Sequence, residues 1–371
     1  MDEQILKIGF THGDINGIGY ELILKSFSDV RLMELCTPVV YGSSKIAAYH
    51  RKTLEIPLLN MSNISRAEDA APNRVNMINC ISDDVKVEMS RPTDTAAEAA
   101  VHSLEAAVND LRQGLIQALV TAPVSSHIRG DGMYPLHTEY LGRHLGEAGG
   151  KAMTVLVSDA MRVALLSECV PMSDVFQHIS MTNVLDKLML FDRSLRQDFR
   201  IVKPRIAVLS LNPKSGRGVK DSEEQAVLIP VIEEASKRNL MCFGPYSADT
   251  IFGSNLYEKF DGIMAMYYEQ GMTAFKTMSP DRGIAYTAGL SAVHTAPVHG
   301  AAYDIAGRNA ASIDSFLRAI YAAADIYRNR ISFREATANP LRKQYFDKGA
   351  GDESVDLTKD DDDSLLINTN S

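Results

Sequence analysis

The sequence predicts an α/β protein, a mixed β-sheet with flanking helices folded as two lobes. Three observations predict it. Nearly continuous apolar runs at 115–120, 205–211 and 262–266 alternate with longer segments whose apolar residues recur every three or four positions, the pattern of buried strands linked by helices. Residues 152–157 and 161–166 are separated only by Ser158-Asp159-Ala160, which reads as a hairpin and makes the sheet mixed. With 371 residues, 45% of them hydrophobic, the chain suits two lobes better than one.

Taken in order, Lys7-Ile8-Gly9-Phe10-Thr11 is a short buried strand that runs into His12-Gly13-Asp14-Ile15-Asn16-Gly17-Ile18-Gly19 and a helix over 20–27. Glycines let backbone approach a ligand, and a helix N-terminus offers N–H groups to an anion. The spacing G-x-x-x-G-x-G fits neither the dinucleotide nor the P-loop fingerprint, so a tight βα turn and a ligand loop both stay open. Thr37-Pro38-Val39-Val40-Tyr41-Gly42 is a second strand, with Ser43 or Ser44 capping the next helix. Residues 54–92 read as irregular and partly β. The clearest helix follows: Thr95-x-x-Glu98 reads as a capping box, Ala97, Val101, Leu104, Val108 and Leu111 recur on one face, and Gly114 stops it.

The strand at 115–120 leads through Thr121-Ala122-Pro123-Val124 to Pro135-Leu136-His137-Thr138, where a loop becomes a helix. On pattern alone Thr138 is an N-cap and His137 incidental. Residues 173–199 are mostly helical, and the strand at 205–211 ends in the basic turn Asn212-Pro213-Lys214-Ser215-Gly216-Arg217-Gly218. A helix over 223–237 precedes the strand at 262–266. The stretch from Ala265 to Met272 is expected to end that strand, open a loop and floor a cleft, and a helix over 312–328 closes the fold.

No run approaches the ~18 apolar residues of a membrane helix, and Met1-Asp2-Glu3-Gln4 lacks a cationic start, so no membrane association and a cytoplasmic location are expected. The four cysteines, Cys36, Cys80, Cys169 and Cys242, lack a C-x-x-C pair and are expected to be buried thiols. A net charge of −9 argues against a nucleic-acid surface. Much of the excess lies in residues 347–371, expected to be a disordered acidic tail after a domain spanning 1–346.

Gly13-Asp14-Ile15-Asn16-Gly17-Ile18-Gly19, Thr121-Ala122-Pro123, His137-Thr138-Glu139, Leu211-Asn212-Pro213, Ala248-Asp249-Thr250, Ala265-Met266-Tyr267, Gln270-Gly271, Lys276 and Tyr303-Asp304-Ile305-Ala306-Gly307 occur in one order along the chain. In that order they resemble the 4-hydroxythreonine-4-phosphate dehydrogenase (PdxA) family of vitamin B6 biosynthesis. The resemblance implies a two-lobed subunit similar to isocitrate and isopropylmalate dehydrogenases, a homodimer, and a cleft between the lobes. It implies NAD-dependent oxidation and decarboxylation of a small phosphorylated hydroxy amino acid, and a substrate-binding role for His137, Thr138 and Lys276. NAD is implied by the resemblance alone.

The family reaction is assisted by a divalent metal, which acidifies the alcohol and stabilises the enolate left by decarboxylation. Three histidines hold that metal in the family. At the matching positions this chain has Cys169 within Ser167-Glu168-Cys169, Lys214 within Asn212-Pro213-Lys214, and Tyr268 within Met266-Tyr267-Tyr268-Glu269. An ammonium has no lone pair and a neutral phenol is a poor ligand, so the set makes no metal site. The family's substrate Asn and Arg are Ala285 and His294 here, and its Asp-His-Gly-Thr is Val298-His299-Gly300-Ala301. Three readings follow. The fold is kept while metal-dependent catalysis is impaired or lost, in the extreme leaving a non-enzyme that binds a phosphorylated metabolite through His137, Thr138, Lys214 and Lys276. Alternatively, Lys214 supplies the metal's charge and Tyr268 acts as acid/base in a metal-free NAD-dependent oxidoreductase. Finally, Glu168, Cys169 and Glu269 could form a rearranged metal site.

Overall fold

A computed structural model describes residues 6–82, 84–125, 137–147, 151–218 and 220–339; the acidic segment 347–371 lies outside the described residues. The chain opens with β1 (Lys7–Thr11), α1 (Gly19–Ser26), α2 (Leu32–Leu35), β2 (Thr37–Gly42), α3 (Ser44–Thr53), β3 (Met61–Ile64) and β4 (Val75–Asn79). It continues with α4 (Asp94–Arg112), β5 (Ala118–Thr121), α5 (His137–Leu145), β6 (Met153–Val157), β7 (Arg162–Ser167), α6 (Met172–His178) and α7 (Met181–Gln197). Then come β8 (Arg205–Leu209), α8 (Ile229–Lys237), β9 (Met241–Tyr246), α9 (Ala248–Gly253), β10 (Gly262–Tyr267), α10 (Tyr268–Met278), β11 (Ile284–Ala288), β12 (Val293–Pro297) and α11 (Asp314–Ala338).

The strands form one sheet in the order β3-β4-β2-β1-β5-β12-β11-β6-β7-β10-β8-β9. From β3 to β12 every pairing is parallel, as is every pairing from β7 to β9. Between the two blocks, β11 is antiparallel to β12 and to β6, and β6 is antiparallel to β7. The blocks therefore point in opposite directions and the chain direction reverses at β11 and β6, which is where open α/β sheets place their ligands. The expected hairpin is the β6–β7 pair.

Tertiary contacts move several element boundaries. The cap of α4 is Thr93 rather than Thr95: its Oγ1 accepts from Ala96 N–H at 3.2 Å and from Asn16 Nδ2 at 3.0 Å, so a contact 77 residues away selects the start. Ser43, not Ser44, caps α3, accepting from Ile46 N–H. The last helix runs ten residues past the expected end at 328, to Ala338, because Arg330 is anchored in the core. Residues 268–272 open α10 rather than a loop. Among the described residues no helix is long and apolar enough to cross a membrane.

Candidate active site

The glycine loop after β1 is closed. Gly13 has φ +65°, and a side-chain carbon there would lie 2.2 Å from Pro123 O; at Gly17 it would meet Ala301 O at 2.6 Å, and at Gly19 His12 O at 1.9 Å. Ile18 N–H donates to Ala301 O at 3.1 Å. These glycines admit the protein's own backbone, so the tight βα turn is the reading that holds, and the start of α1 has no room for an anion. Asp14 fixes the turn by accepting from the Tyr303 hydroxyl at 2.6 Å and from Asn16 N–H at 2.7 Å. Burial raises its carboxyl above the usual range against the pull of those bonds.

A cleft of about 630 Å³ opens over the sheet reversal. Thr154 and Leu156 of β6, Ala285 and Thr287 of β11, and His294 and Ala296 of β12 line it, alternate residues that share one sheet face. Ala265 and Met266 are fully buried in the sheet, so the stretch 265–272 is not the floor. It leads instead into one wall. Tyr268, Met272 and Lys276 lie four residues apart on α10 and line the cleft together. Gly271 lets α10 sit against β7, since a side-chain carbon there would be 2.6 Å from Leu165 Cδ2. Gln270 fixes the start of the helix by accepting from Met266 N–H at 2.8 Å and donating to Ser210 O at 2.7 Å. Gln270→Leu leaves both groups unpaired, and chemical unfolding is expected to show a loss of about 2–4 kcal/mol.

The opposite wall carries His137 and Thr138 at the start of α5. The His137 ring stacks on His294, centroids 6.1 Å apart, and burial pushes its pKa down to about 4. His294 lies between two hydroxyls, Thr121 Oγ1 at 3.0 Å from Nε2 and Thr287 Oγ1 at 2.8 Å from Nδ1. Burial, and the neighbouring His137 after it, lower its pKa to about 3, so at neutral pH the position that the resemblance matches to an arginine carries an uncharged ring. Thr138 is not the helix cap of the pattern-based reading: its hydroxyl bonds Thr154 Oγ1 at 2.8 Å, and Thr154 donates from Oγ1 and N to the two Glu168 oxygens at 2.7 and 2.8 Å. Threonines inside apolar strands were the available signal for Thr121, Thr154 and Thr287. Only strand pairing, which sets Thr154 opposite Thr287, turns them into a site.

Cys169, Lys214 and Tyr268, the three positions that the resemblance matches to metal ligands, follow the carboxyl ends of neighbouring parallel strands β7, β8 and β10. Cys169 and Tyr268 line the cleft, whereas Lys214 is exposed and lies outside its lining, on a turn where Lys214 and Ser215 have φ 54° and 56°. That turn is held from behind by Glu224, whose Oε1 accepts from Leu211 and Asn212 N–H at 2.9 and 2.7 Å. Cys169 is exposed and Cys80 partly so, correcting the expectation of four buried thiols; Cys36 and Cys242 are buried. Among the described residues no three His, Cys, Asp or Glu side chains gather as a set for a metal ion. Glu168 is engaged by Thr154, and Glu269 is exposed and accepts from Thr273 on its own helix at 3.2 Å. Among the described residues, the side chains at these positions do not make a donor set that fits a divalent cation.

The family model described as pyridoxal phosphate biosynthetic protein PdxA matches residues 34–323. A 4-hydroxythreonine-4-phosphate dehydrogenase from Bacteroides thetaiotaomicron is 47% identical over 372 residues, covering 100% of this chain and 99% of that protein. The chain belongs to the PdxA family. A protein from Oceanobacillus iheyensis whose name reads "Putative D-threonate 4-phosphate dehydrogenase" is 30% identical over 86% of this chain and 97% of its own length. The crystal structure of the Klebsiella pneumoniae 4-hydroxythreonine-4-phosphate dehydrogenase superposes with a TM-score of 0.73 at 26% identity, covering 87% of this chain and all of that one. The Bacteroides and Klebsiella proteins are thus named as dehydrogenases of one small phosphorylated compound.

Proposed function

We propose that this PdxA protein binds a small phosphorylated hydroxy acid in the cleft, through His137, Thr138 and Lys276, with the family's metal-dependent oxidation impaired or lost. The observation that carries the reading is the donor set at the three positions matched to metal ligands: an exposed thiol, an ammonium outside the cleft wall and a phenol, with no ligating trio among the described residues. Metal activation supplies several kcal/mol of transition-state stabilisation. The metal-free oxidoreductase needs Lys214 beside Tyr268 in the cleft, and the placement of Lys214 gives it no support. By family kinship we extend the proposal to a cytoplasmic homodimer with NAD as the nucleotide to test.

Calorimetric titration with 4-hydroxythreonine 4-phosphate is expected to show binding that added magnesium, manganese or zinc does not strengthen. NADH formation is expected to run at least about a hundredfold below that of the Bacteroides relative assayed alongside. Stoichiometric bound metal together with NADH formation at the relative's rate would overturn the proposal.

A further inference from the structure

We propose that the acidic segment 360–367 of this chain covers the free edge of the sheet, its aspartates on the basic turn after β8 and its apolar residues paired along β9. The proposal is independent of what occupies the cleft. The two outer strands of the sheet, β3 and β9, differ in kind. β3 is short and carries Ser62 and Asn63, the polar character usual for an edge left to solvent. β9 pairs with β8 on one side and, among the described residues, with no strand on the other. Met241 and Phe243 stand exposed on one of its faces, while Cys242 between them is buried. An apolar edge of this kind templates pairing with other chains, and natural proteins cover it.

Charge and position single out the cover. The turn after β8 carries Lys214, Arg217 and Lys220, all exposed and none in an ion pair among the described residues. It is held in shape: Lys214, Ser215 and Gly216 have φ 54°, 56° and 68°, and buried Glu224 accepts from the Leu211 and Asn212 N–H groups beneath them. Glu223 accepts from Asn212 Nδ2 at 2.6 Å, which leaves Asp221 as the exposed carboxylate on the turn. Three cations against one carboxylate favour an anionic partner. The turn stands at the carboxyl end of β9, since β8 and β9 are parallel and Ser210 N–H donates to Tyr246 O at 2.7 Å. α11 brings the chain to that same end of the sheet. β11 runs in the direction of β7, β10 and β8, and α11 passes the end of β11, where Arg330 donates to Leu290 O at 2.9 Å. From β11 to β8 is four strand spacings, about 19 Å, and residues 340–359 can span up to about 65 Å. Beyond them the sequence reads Asp360-Asp361-Asp362-Asp363-Ser364-Leu365-Leu366-Ile367. With the aspartates on the turn, 365–367 run back along β9, antiparallel to it, and Leu365 and Ile367 share the face of Met241 and Phe243. Each half needs the other, because exposed ion pairs contribute little and are screened by salt, while three apolar residues bury little area.

Hydrogen exchange read by mass spectrometry, on the full chain and on one ending at Lys359, tests the proposal. Loss of 360–371 is expected to speed amide exchange in 241–246 by at least about tenfold and to produce association in sedimentation that the full chain lacks. Leu365→Asp with Ile367→Asp removes the apolar half within the full chain, and the same exchange is expected if the truncated chain fails to fold. Lys214→Glu, Arg217→Glu and Lys220→Glu together are expected to expose β9 as truncation does. Adding Asp360→Lys, Asp361→Lys, Asp362→Lys and Asp363→Lys to that triple variant is expected to restore the protection, a rescue that mere damage to the turn would not give. Unchanged exchange in β9 on truncation or in the Leu365/Ile367 variant overturns the proposal, and so does failure of the swapped charges to restore it. Protection that rises with protein concentration assigns the edge to a second copy and overturns it as well.

Discussion

Arg330→Met is expected to lower stability by about 3–5 kcal/mol, the usual cost of stripping one partner from a buried ion pair. Asp198 is wholly buried and Arg330 nearly so, with Nε 2.7 Å from Asp198 Oδ1. Every other arm of the pair is also engaged. Arg330 donates to Leu290 O at 2.9 Å and to the Tyr286 hydroxyl at 2.8 Å, while Tyr286 and Ser194 donate to Asp198 Oδ2 at 2.5 and 2.6 Å. The cluster ties α11 to the end of α7 and to β11, beneath the strands that floor the cleft. Removing the guanidinium leaves Asp198 a buried charge with two hydroxyl donors and no cation. The double variant Asp198→Leu with Arg330→Met takes out both charges and is expected to be more stable than Arg330→Met alone in urea unfolding, whereas strict additivity of the two losses would show that the pair is not coupled.

Stability is expected to fall steeply between pH 6.5 and about 4, by up to about 4 kcal/mol per pH unit if three histidines contribute together. Burial lowers the pKa of His12 and His294 to about 3 and that of His50 to about 4, in each case as the leading cause. His12 and His50 stack on opposite sides of Tyr20, each centroid 5.1 Å from its ring, in the core behind the glycine loop. The sign follows from where the protons bind. Unfolded histidine takes up a proton near pH 6.5 and these folded rings do not, so acid favours the unfolded chain, with stability fully present above that value and lost below it. Against a typical total of about 5–15 kcal/mol, cooperative acid unfolding is expected before pH 4 is reached. Thermal unfolding followed across this range checks it, and His12→Phe, which keeps the stack on Tyr20, should reduce the slope by about one proton. A melting temperature flat from pH 7 to 4.5 would refute the account.

Much of the fold was legible because it rests on local pattern. The apolar runs that become β1, β8 and β10, the hairpin of β6 and β7, and the periodic face of α4 all declare themselves within a dozen residues, since burial on one face or both imposes a period that composition alone reveals. Boundaries were less legible, because distant groups set them: Asn16 decides where α4 starts and Asp198 how far α11 runs. The glycine loop shows the same limit. Its spacing is compatible with ligand or backbone, and it is backbone as distant in sequence as Pro123 and Ala301 that closes it.

The candidate site divides along that line. The residues that the resemblance singles out, Cys169, Lys214, Tyr268, His137, Thr138 and Lys276, are properties of the sequence, and with them the family. Whether those residues share a space is not. It took the reversal of strand direction at β6 and β11 to bring His137 and Thr138 from one block opposite Tyr268 and Lys276 from the other, while leaving Lys214 outside. The tertiary structure alone decided that Thr154 joins Thr138 to Glu168 and that His294 lies neutral between two threonines. The physical reason is that side-chain chemistry travels with the residue, whereas hydrogen-bond polarity and burial belong to neighbours that only the folded chain supplies.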